Sequence, residues 1–429
     1  MESIGIAIIL SLVVAIVIGT KLKINIGLIA IVFAYIFGVF FMGESVGVVI
    51  DLWPVRLFFQ LFTITLFYAF AIQNGTLEGI ARRMVYFARN SPKLIPIALW
   101  LVCFLLAAIG PGTATIMLII PPILFKIGKE TKMHVLLSAT ILSTGTHAGG
   151  WNPITLNGIF SRTLMESVGI SAQDAEIYGM NMFLTVLIHR IILFAIFYFL
   201  FKGYKIQPVN VDKPEPFTKK QKWNVVLIVA LLALLTLPAI FENLTGAAFF
   251  AMLRGNIDIT FLAAILVIAC ILLKLGDFKK SITGGVAWDT ILLICGTAML
   301  IAVAQQAGAF TFISGLIGQH LSHNIAPYAV GVATGMIGMV TSVFVVIPAM
   351  YPLAQGVALV SGIDAGFLFS IVTTITVSAA LSPFSLAGAM IMSTAENENE
   401  RKILFFGLLK VAGFAIMVTM LLIVAGLVI

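Results

Sequence analysis

The sequence predicts an all-α polytopic membrane protein with ten transmembrane helices, two of them broken, plus two re-entrant hairpins, arranged as two inverted repeats. Three observations support this prediction: long uncharged apolar runs, a one-sided distribution of basic residues, and a short motif that occurs in both halves. Of the 429 residues, 61% are hydrophobic and only 10% are charged, against about 25% in an ordinary soluble domain. The mean hydropathy of +1.13 also excludes a soluble globular protein.

Ten apolar runs are long enough to cross a bilayer as helices, which takes about 20 residues each. Lipid cannot hydrogen-bond to backbone N–H and C=O groups, so a segment within it satisfies them inside a helix. The predicted spans are residues 3–19, 24–42, 57–75, 134–160, 180–201, 224–241, 260–276, 288–308, 366–392 and 403–429.

Two further apolar stretches, residues 94–127 and 326–360, are predicted to be re-entrant hairpins. Polar or glycine-rich sequence interrupts them near their middles, at residues 110–112 and 341–342. The connectors around each stretch leave little room for two ordinary crossings. Non-helical tips at membrane depth are tolerated where protein or a cavity surrounds them, so hairpins fit both stretches.

Two of the ten spans, residues 134–160 and 366–392, are predicted to be broken helices. Each contains a proline within a run rich in Ser, Thr, Gly and Asn. Proline removes a backbone donor, and Ser, Thr and Asn compete with the backbone for hydrogen bonds. We therefore expect residues 143–157 and 373–385 to be unwound.

The 25 Lys and Arg residues are distributed unequally between the two sides that this topology creates. Twenty fall on the side of the polar linker 204–223, only three fall on the other side, and two lie within spans. Because cytoplasmic loops are enriched in Lys and Arg, we predict a multi-pass protein of the cell inner (plasma) membrane with a cytoplasmic linker and both termini outside. The net charge of +7 then reflects orientation in the lipid bilayer, with no nucleic acid as a partner.

The two halves, residues 1–203 and 224–429, share a motif. The sequence NPITLNG at 152–158 matches SPFSLAG at 382–388, an offset of 230 residues. Each half has five predicted crossings and one hairpin, and an odd number of crossings inverts the second copy relative to the first. Inverted repeats with broken helices are typical of secondary transporters, whose binding sites lie near the midplane where such helices meet.

The two hairpin tips and the two breaks are expected to converge, and they are rich in hydroxyl and amide groups. These oxygens and free carbonyls can coordinate sodium, while helix N-termini suit a carboxylate. Alternatively, Ser and Thr only pack helices and bond back to carbonyls. The predicted substrate-binding residues are Thr113, Thr146, His147, Asn152, Thr155, Asn157, Ser342, Thr376, Ser378, Ser382 and Ser385. The possible sodium ligands are Ser143, Thr144, Thr373 and Thr374.

No Asp or Glu lies within the core of any predicted span, which argues against an enzyme and against an antiporter that relays protons through a carboxylate. No catalytic residue and no cofactor is predicted. His147 lies in the first break, where it contacts substrate, carries a proton, or caps helix carbonyls. His189 and Arg190 lie in one apolar helix, where they line an anion pathway or, for Arg190, bond to exposed carbonyls.

Three segments resemble the ion transporter superfamily, in particular its malonate and C4-dicarboxylate carriers and the related divalent anion–sodium symporters. They are GPGTATIMLIIPPIL from Gly110, THAGGWNPITLNGIF from Thr146 and SAALSPFSLAGAM from Ser378. The resemblance implies a small carboxylate substrate, sodium as the coupling ion, elevator-type movement and a homodimer. It also implies that Thr113 and Ser342 lie at the tips. A proton-coupled carrier, an anion exchanger and a channel remain alternatives.

Overall fold

The computed structural model describes residues 2–88, 91–110, 113, 116–117, 120–207, 213–309, 325–339, 342–392, 394–395 and 398–429. Within these residues the chain is entirely helices and turns, without a strand, which confirms the predicted all-α class. The helices of the first half are α1 (Glu2–Leu22), α2 (Ile26–Tyr35), α3 (Val46–Asp51), α4 (Val55–Gln73), α5 (Thr76–Ala88), α6 (Ile95–Ala108), α7 (Pro121–Glu130), α8 (Val135–Gly150), α9 (Leu156–Ser167) and α10 (Ala172–Leu200).

The second half begins at the end of the linker, where a capping box of Thr218 and Gln221 starts a long helix. Its helices are α11 (Lys219–Thr245), α12 (Ala248–Asn256), α13 (Ile259–Leu272), α14 (Trp288–Gln306), α15 (Ala326–Gly338), α16 (Val343–Ser361), α17 (Ala365–Ala379), α18 (Leu386–Met392) and α19 (Glu398–Val424). Most of the residues predicted to form the hairpin tips, 111–112, 114–115 and 341, lie outside the described residues.

Six helices of the described chain are long and apolar enough to cross a membrane: α4, α10, α14, α16, α19 and residues Lys219–Pro238 of α11. A seventh crossing is formed if α12 and α13, which meet at 79°, count as one span. Ten crossings therefore stay a prediction. Several predicted spans fall short because they are divided: α2 passes into a π-helix at Ile36, and α17 ends at Ala379.

The bend between α12 and α13 was not predicted from the sequence, although its cause is local. Asp258 caps α13 by accepting hydrogen bonds from the backbone N–H groups of Thr260 and Phe261. An aspartate in this position favours the start of a new helix. Phe249 and Met252 of α12 are exposed and can contact lipid.

Both predicted broken helices contain a non-helical turn, at residues 151–155 between α8 and α9 and at residues 380–385 between α17 and α18. The turns are shorter than expected. Residues 143–150 and 373–379, predicted to be unwound, are helical. The expectation was wrong there because the hydroxyls bond back to carbonyls four residues earlier, as Thr146 does to Leu142 and Thr376 to Val372, which leaves the helix intact.

Helices that correspond in the two halves make corresponding contacts. α6 packs on α8, as α15 packs on α17. Contacts between the halves also occur in exchanged pairs: α10 contacts α17 while α19 contacts α8, and α2 contacts α14 while α13 contacts α4. The pairs meet closely, since Gly27 of α2 lies against the backbone of α14 at Leu292. The two halves therefore interdigitate instead of forming separate domains.

Four helices end in a lysine whose backbone has a positive φ of 54° to 57°: Lys23, Lys132, Lys202 and Lys274. Glycine is the usual residue in this conformation because it has no Cβ. All four lysines fall on the side that the sequence predicts to be cytoplasmic. Glycine has a positive φ at Gly43, Gly169, Gly246, Gly308 and Gly362, where helices are predicted to end on the other side, and also at Gly75 on the predicted cytoplasmic side.

Candidate functional site

A small cavity lies where the two predicted hairpins and the two breaks come together. Four of the predicted substrate-binding residues line it, one from each of four elements: Thr113 from the first tip, His147 from α8, Ser342 at the start of α16, and Ser385 from the second break. The remaining walls are mostly apolar: Met117, Val343, Phe344, Ala380 and Ala387. Both halves of the chain thus contribute to one cavity.

The two breaks have the same hydrogen-bond pattern at an offset of 230 residues. In the first, the Thr155 hydroxyl donates to Gly150 O at 2.5 Å and accepts from Gly158 N. In the second, the Ser385 hydroxyl donates to Ala380 O at 2.6 Å and accepts from Gly388 N at 2.9 Å. In each break one buried hydroxyl joins the end of the upstream helix to the start of the downstream helix.

The glycine that follows each hydroxyl is required for this closure. A Cβ on Gly158 would collide with the carbonyl oxygen of Asn152, and a Cβ on Gly388 would collide with that of Ser382. Backbone atoms cannot move aside as a flexible side chain can. The motif N/S-P-x-T/S-L-x-G is therefore explained by the geometry of the turn: the hydroxyl closes it and the glycine leaves room for it.

Each break is also hydrogen-bonded to the predicted hairpin of its own half. The Asn157 amide donates to the Thr113 hydroxyl at 3.1 Å, and the Ser382 hydroxyl donates to Met339 O at 2.5 Å, at the end of the first arm of the second hairpin. Asn157 Oδ1 is buried and has no partner among the described residues. An unsatisfied buried acceptor next to a cavity indicates a site for an ion or a water.

His147 is buried, and its Nδ1 lies 2.8 Å from Ser143 O. Because a carbonyl oxygen only accepts, this bond places the proton of the neutral ring on Nδ1, and Nε2 is the nitrogen that gains a proton when the ring becomes charged. Ser342 caps α16, with its Oγ 3.3 Å from Phe344 N. The cavity thus has an imidazole on one wall and the N-terminus of a 19-residue helix on another.

The other predicted residues do not line the cavity. Asn152 is half-buried and its Oδ1 accepts from Ile154 N within the turn. Thr146, Thr376 and Ser378 bond back to carbonyls of their own helices. The four possible sodium ligands lie inside regular helix and are distributed over α8 and α17. Their hydroxyls have partners within the protein. For example, the Thr144 hydroxyl donates to Thr140 O at 2.5 Å and accepts from Trp100 Nε1 at 3.1 Å.

A buried hydroxyl cluster was missed from the sequence. Tyr351 of α16 lies 2.5 Å from the Ser161 Oγ of α9 and 2.7 Å from the Thr373 Oγ1 of α17, and Met182 Sδ of α10 is 3.2 Å from its hydroxyl. The cluster joins elements of both halves. Its sequence signal was a tyrosine between Pro348 and Pro352 in a mostly apolar helix.

Residues 2–150 match the family model for the N-terminus of the dicarboxylate carrier protein MatC. The match covers about the first third of the chain, including the first predicted hairpin and α8 with His147, and ends at the residue before the first break. No curated protein matches the chain at a significant level. The resemblance to malonate and dicarboxylate carriers is thereby confirmed for this part of the chain. With its apolar helices, the chain is a multi-pass membrane protein.

Proposed function

We propose that this chain is a secondary active transporter of small dicarboxylate anions. The observation that carries the proposal is the cavity lined by Thr113, His147, Ser342 and Ser385, which joins the tip and break elements of both halves. The match of residues 2–150 to a dicarboxylate carrier family supplies the substrate class. A carrier also fits better than an enzyme, because no nucleophile is paired with a base among the described residues that line the cavity.

The lining suits a carboxylate in two ways. Hydroxyl groups of Ser342 and Thr113 can donate hydrogen bonds to carboxylate oxygens, and the N-terminus of α16 carries a partial positive charge. The apolar walls, such as Met117 and Phe344, suit the short carbon chain between two carboxylates. A dicarboxylate bound here would be held by few polar groups in a largely apolar pocket, as is usual for small-molecule sites.

The architecture within this proposal is two inverted repeats of five crossings and one hairpin, with a cytoplasmic linker and both termini outside the inner membrane. The repeated hydrogen bonds of the breaks and the exchanged helix contacts between the halves support the repeat. The four lysines with positive φ support the sidedness. Elevator-type movement and a homodimer belong to the proposal through the family resemblance.

Sodium is the coupling ion that we propose. Moving an anion inward against a negative-inside potential costs about 2.3 kcal/mol per charge per 100 mV, so a concentrative carrier brings in compensating cations. No acidic residue lies in the span cores, and Asn157 Oδ1 offers a free oxygen ligand beside Thr113. His147 provides the competing route, in which a proton replaces sodium.

The test is uptake of radiolabelled malonate and succinate into proteoliposomes containing the purified protein. We expect saturable uptake that needs an inward sodium gradient and shows counterflow, which a channel would not show. Ser342→Ala should reduce uptake at least about tenfold, since a charge-assisted hydrogen bond contributes roughly 1.5–3 kcal/mol. Sodium-coupled uptake should tolerate His147→Ala better than proton-coupled uptake would. Thr236→Ala, an exposed position whose hydroxyl bonds only to Leu232 O, is the matched control.

Absence of uptake and of ligand-induced thermal stabilisation with every dicarboxylate would overturn the proposed function. Equal uptake in sodium and choline, driven by an acid-outside gradient and abolished in His147→Ala, would show that protons are the coupling ion instead of sodium. Uptake that requires only an internal dicarboxylate would make the protein an anion exchanger.

A further inference from the structure

Arg190 is a fully buried arginine in the middle of α10, a helix that is long and apolar enough to cross a membrane. In the described part of the chain, one of its terminal nitrogens, Nη2, makes all of its hydrogen bonds. Nη2 donates to Thr374 O at 3.3 Å, to the Ser378 hydroxyl, and to the Thr419 hydroxyl at 3.5 Å. These partners belong to α17 and α19, so the guanidinium joins the two halves of the chain.

The charge of this arginine is not neutralised by the residues that the structure describes. None of its partners is acidic, and its Nε and Nη1 atoms are buried without a hydrogen-bond partner in the described chain. A guanidinium stays protonated in proteins, and an unpaired buried charge is strongly unfavourable. The C-terminal end of α17 carries at most about half a negative charge, so part of the cation remains uncompensated.

This positive charge lies close to the candidate site. Its hydrogen-bond partner Ser378 lies two residues before Ala380. Ala380 and Ser385 both line the cavity. Arg190 is not among the described residues that line the cavity. For an estimate, we take a separation of about one helix diameter, roughly 10 Å.

We infer that Arg190 is the fixed counter-charge of the bound substrate and makes the site selective for dianions over monoanions. The inference rests on the proposed function and adds the determinant of its charge specificity. Coulomb attraction is proportional to the substrate charge. The electrostatic free energy by which Arg190 stabilises a bound dianion is therefore twice that for a monoanion. At about 10 Å and an effective dielectric constant of about 20, the gain is roughly tenfold in affinity per charge, or roughly a hundredfold for a dianion.

The first test compares the dissociation constants of malonate and its monomethyl ester by thermal-shift or calorimetric titration. In Arg190→Gln, we expect malonate affinity to fall about tenfold more than monoester affinity. In Arg190→Lys, which keeps the charge, the ratio of the two constants should stay within about threefold of wild type. A purely structural role would lower both affinities together and leave their ratio unchanged.

A second pair of variants keeps Arg190 and therefore does not depend on folding without it. Thr419→Asp places a carboxylate next to Nη2, where it neutralises the guanidinium, and Thr419→Asn has nearly the same shape without the charge. We expect Thr419→Asp to lose about tenfold more of the dianion preference than Thr419→Asn.

The outcomes separate this inference from the proposed function. If wild-type protein binds no dicarboxylate, the proposed function fails and the inference fails with it. If wild-type protein binds malonate but the malonate-to-monoester ratio is unchanged in Arg190→Gln, or unchanged in Thr419→Asp where Arg190→Gln does not fold, the inference alone is overturned.

Discussion

The variant Ser385→Ala removes the hydroxyl that holds the second break closed. In the wild type this hydroxyl donates to Ala380 O at 2.6 Å and accepts from Gly388 N at 2.9 Å. The side chain is buried, so water cannot easily replace it. Thr155→Ala makes the same change in the first break, where the hydroxyl donates to Gly150 O at 2.5 Å.

The expected loss of stability follows from these two bonds. Loss of the helix cap costs about 1 kcal/mol, and the buried carbonyl left without its donor costs about 1–3 kcal/mol. Together they lower the free energy of unfolding by about 2–4 kcal/mol. For a chain of this size each kcal/mol shifts the melting temperature by about 1–2 °C, so we expect the melting temperature of each variant to fall by about 2–8 °C.

Thermal unfolding in detergent, followed by tryptophan fluorescence, measures this effect. Thr155→Ser keeps the hydroxyl and should melt within about 2 °C of wild type. The exposed variant Thr236→Ala loses only a bond to its own helix and should not change the melting temperature. If the melting temperatures of Ser385→Ala and Thr155→Ala both equal that of the wild type, the two hydroxyls do not hold the breaks together.

Three further predictions concern other parts of the fold. A single cysteine at Lys213, in a background without the native cysteines, should resist impermeant thiol reagents added outside intact cells, whereas one at Asp174 should react; the reverse pattern would overturn the predicted orientation. Tyr351→Phe removes a buried hydroxyl with two hydroxyl partners and should lower the free energy of unfolding by about 1–3 kcal/mol in the same melting assay; an unchanged melting temperature would show that the cluster adds no stability. Gly158→Ala should destabilise by at least about 1–3 kcal/mol because its Cβ collides with backbone, whereas Gly179→Ala, which has open space, should not; equal behaviour of the two would contradict the close packing of the first break.

The position of both turns could be read from the sequence because their causes are local. A proline, a hydroxyl two residues later and a glycine three residues after that suffice to specify each turn. The length of the unwound part could not be read in the same way. Thr146 and Thr376 fit equally well in an unwound segment and in a helix where they bond to a carbonyl one turn back, and only tertiary packing decides between the two.

Contacts between the two halves could not be predicted from the sequence. Arg190 was recognised as an intramembrane charge that either lines an anion pathway or bonds to carbonyls, and the structure shows a bond to the carbonyl of Thr374. Its hydroxyl partners, Ser378 and Thr419, lie 188 and 229 residues away. No local pattern specifies a partner at that separation, and the same is true of Tyr351 and Ser161, which are 190 residues apart.

The hydrogen bonds of Arg190 have a consequence for biosynthesis. Its first partner in the chain, Thr374, is made 184 residues later, which at about 5–20 residues per second takes roughly 10–40 s. During this time α10 enters the bilayer with a charged residue at its centre, at a cost of about 2.5–3.5 kcal/mol. The long apolar sequence of α10 outweighs that cost. The guanidinium of the newly inserted first half therefore lacks these hydrogen-bond partners until α17 and α19 have been synthesised and inserted.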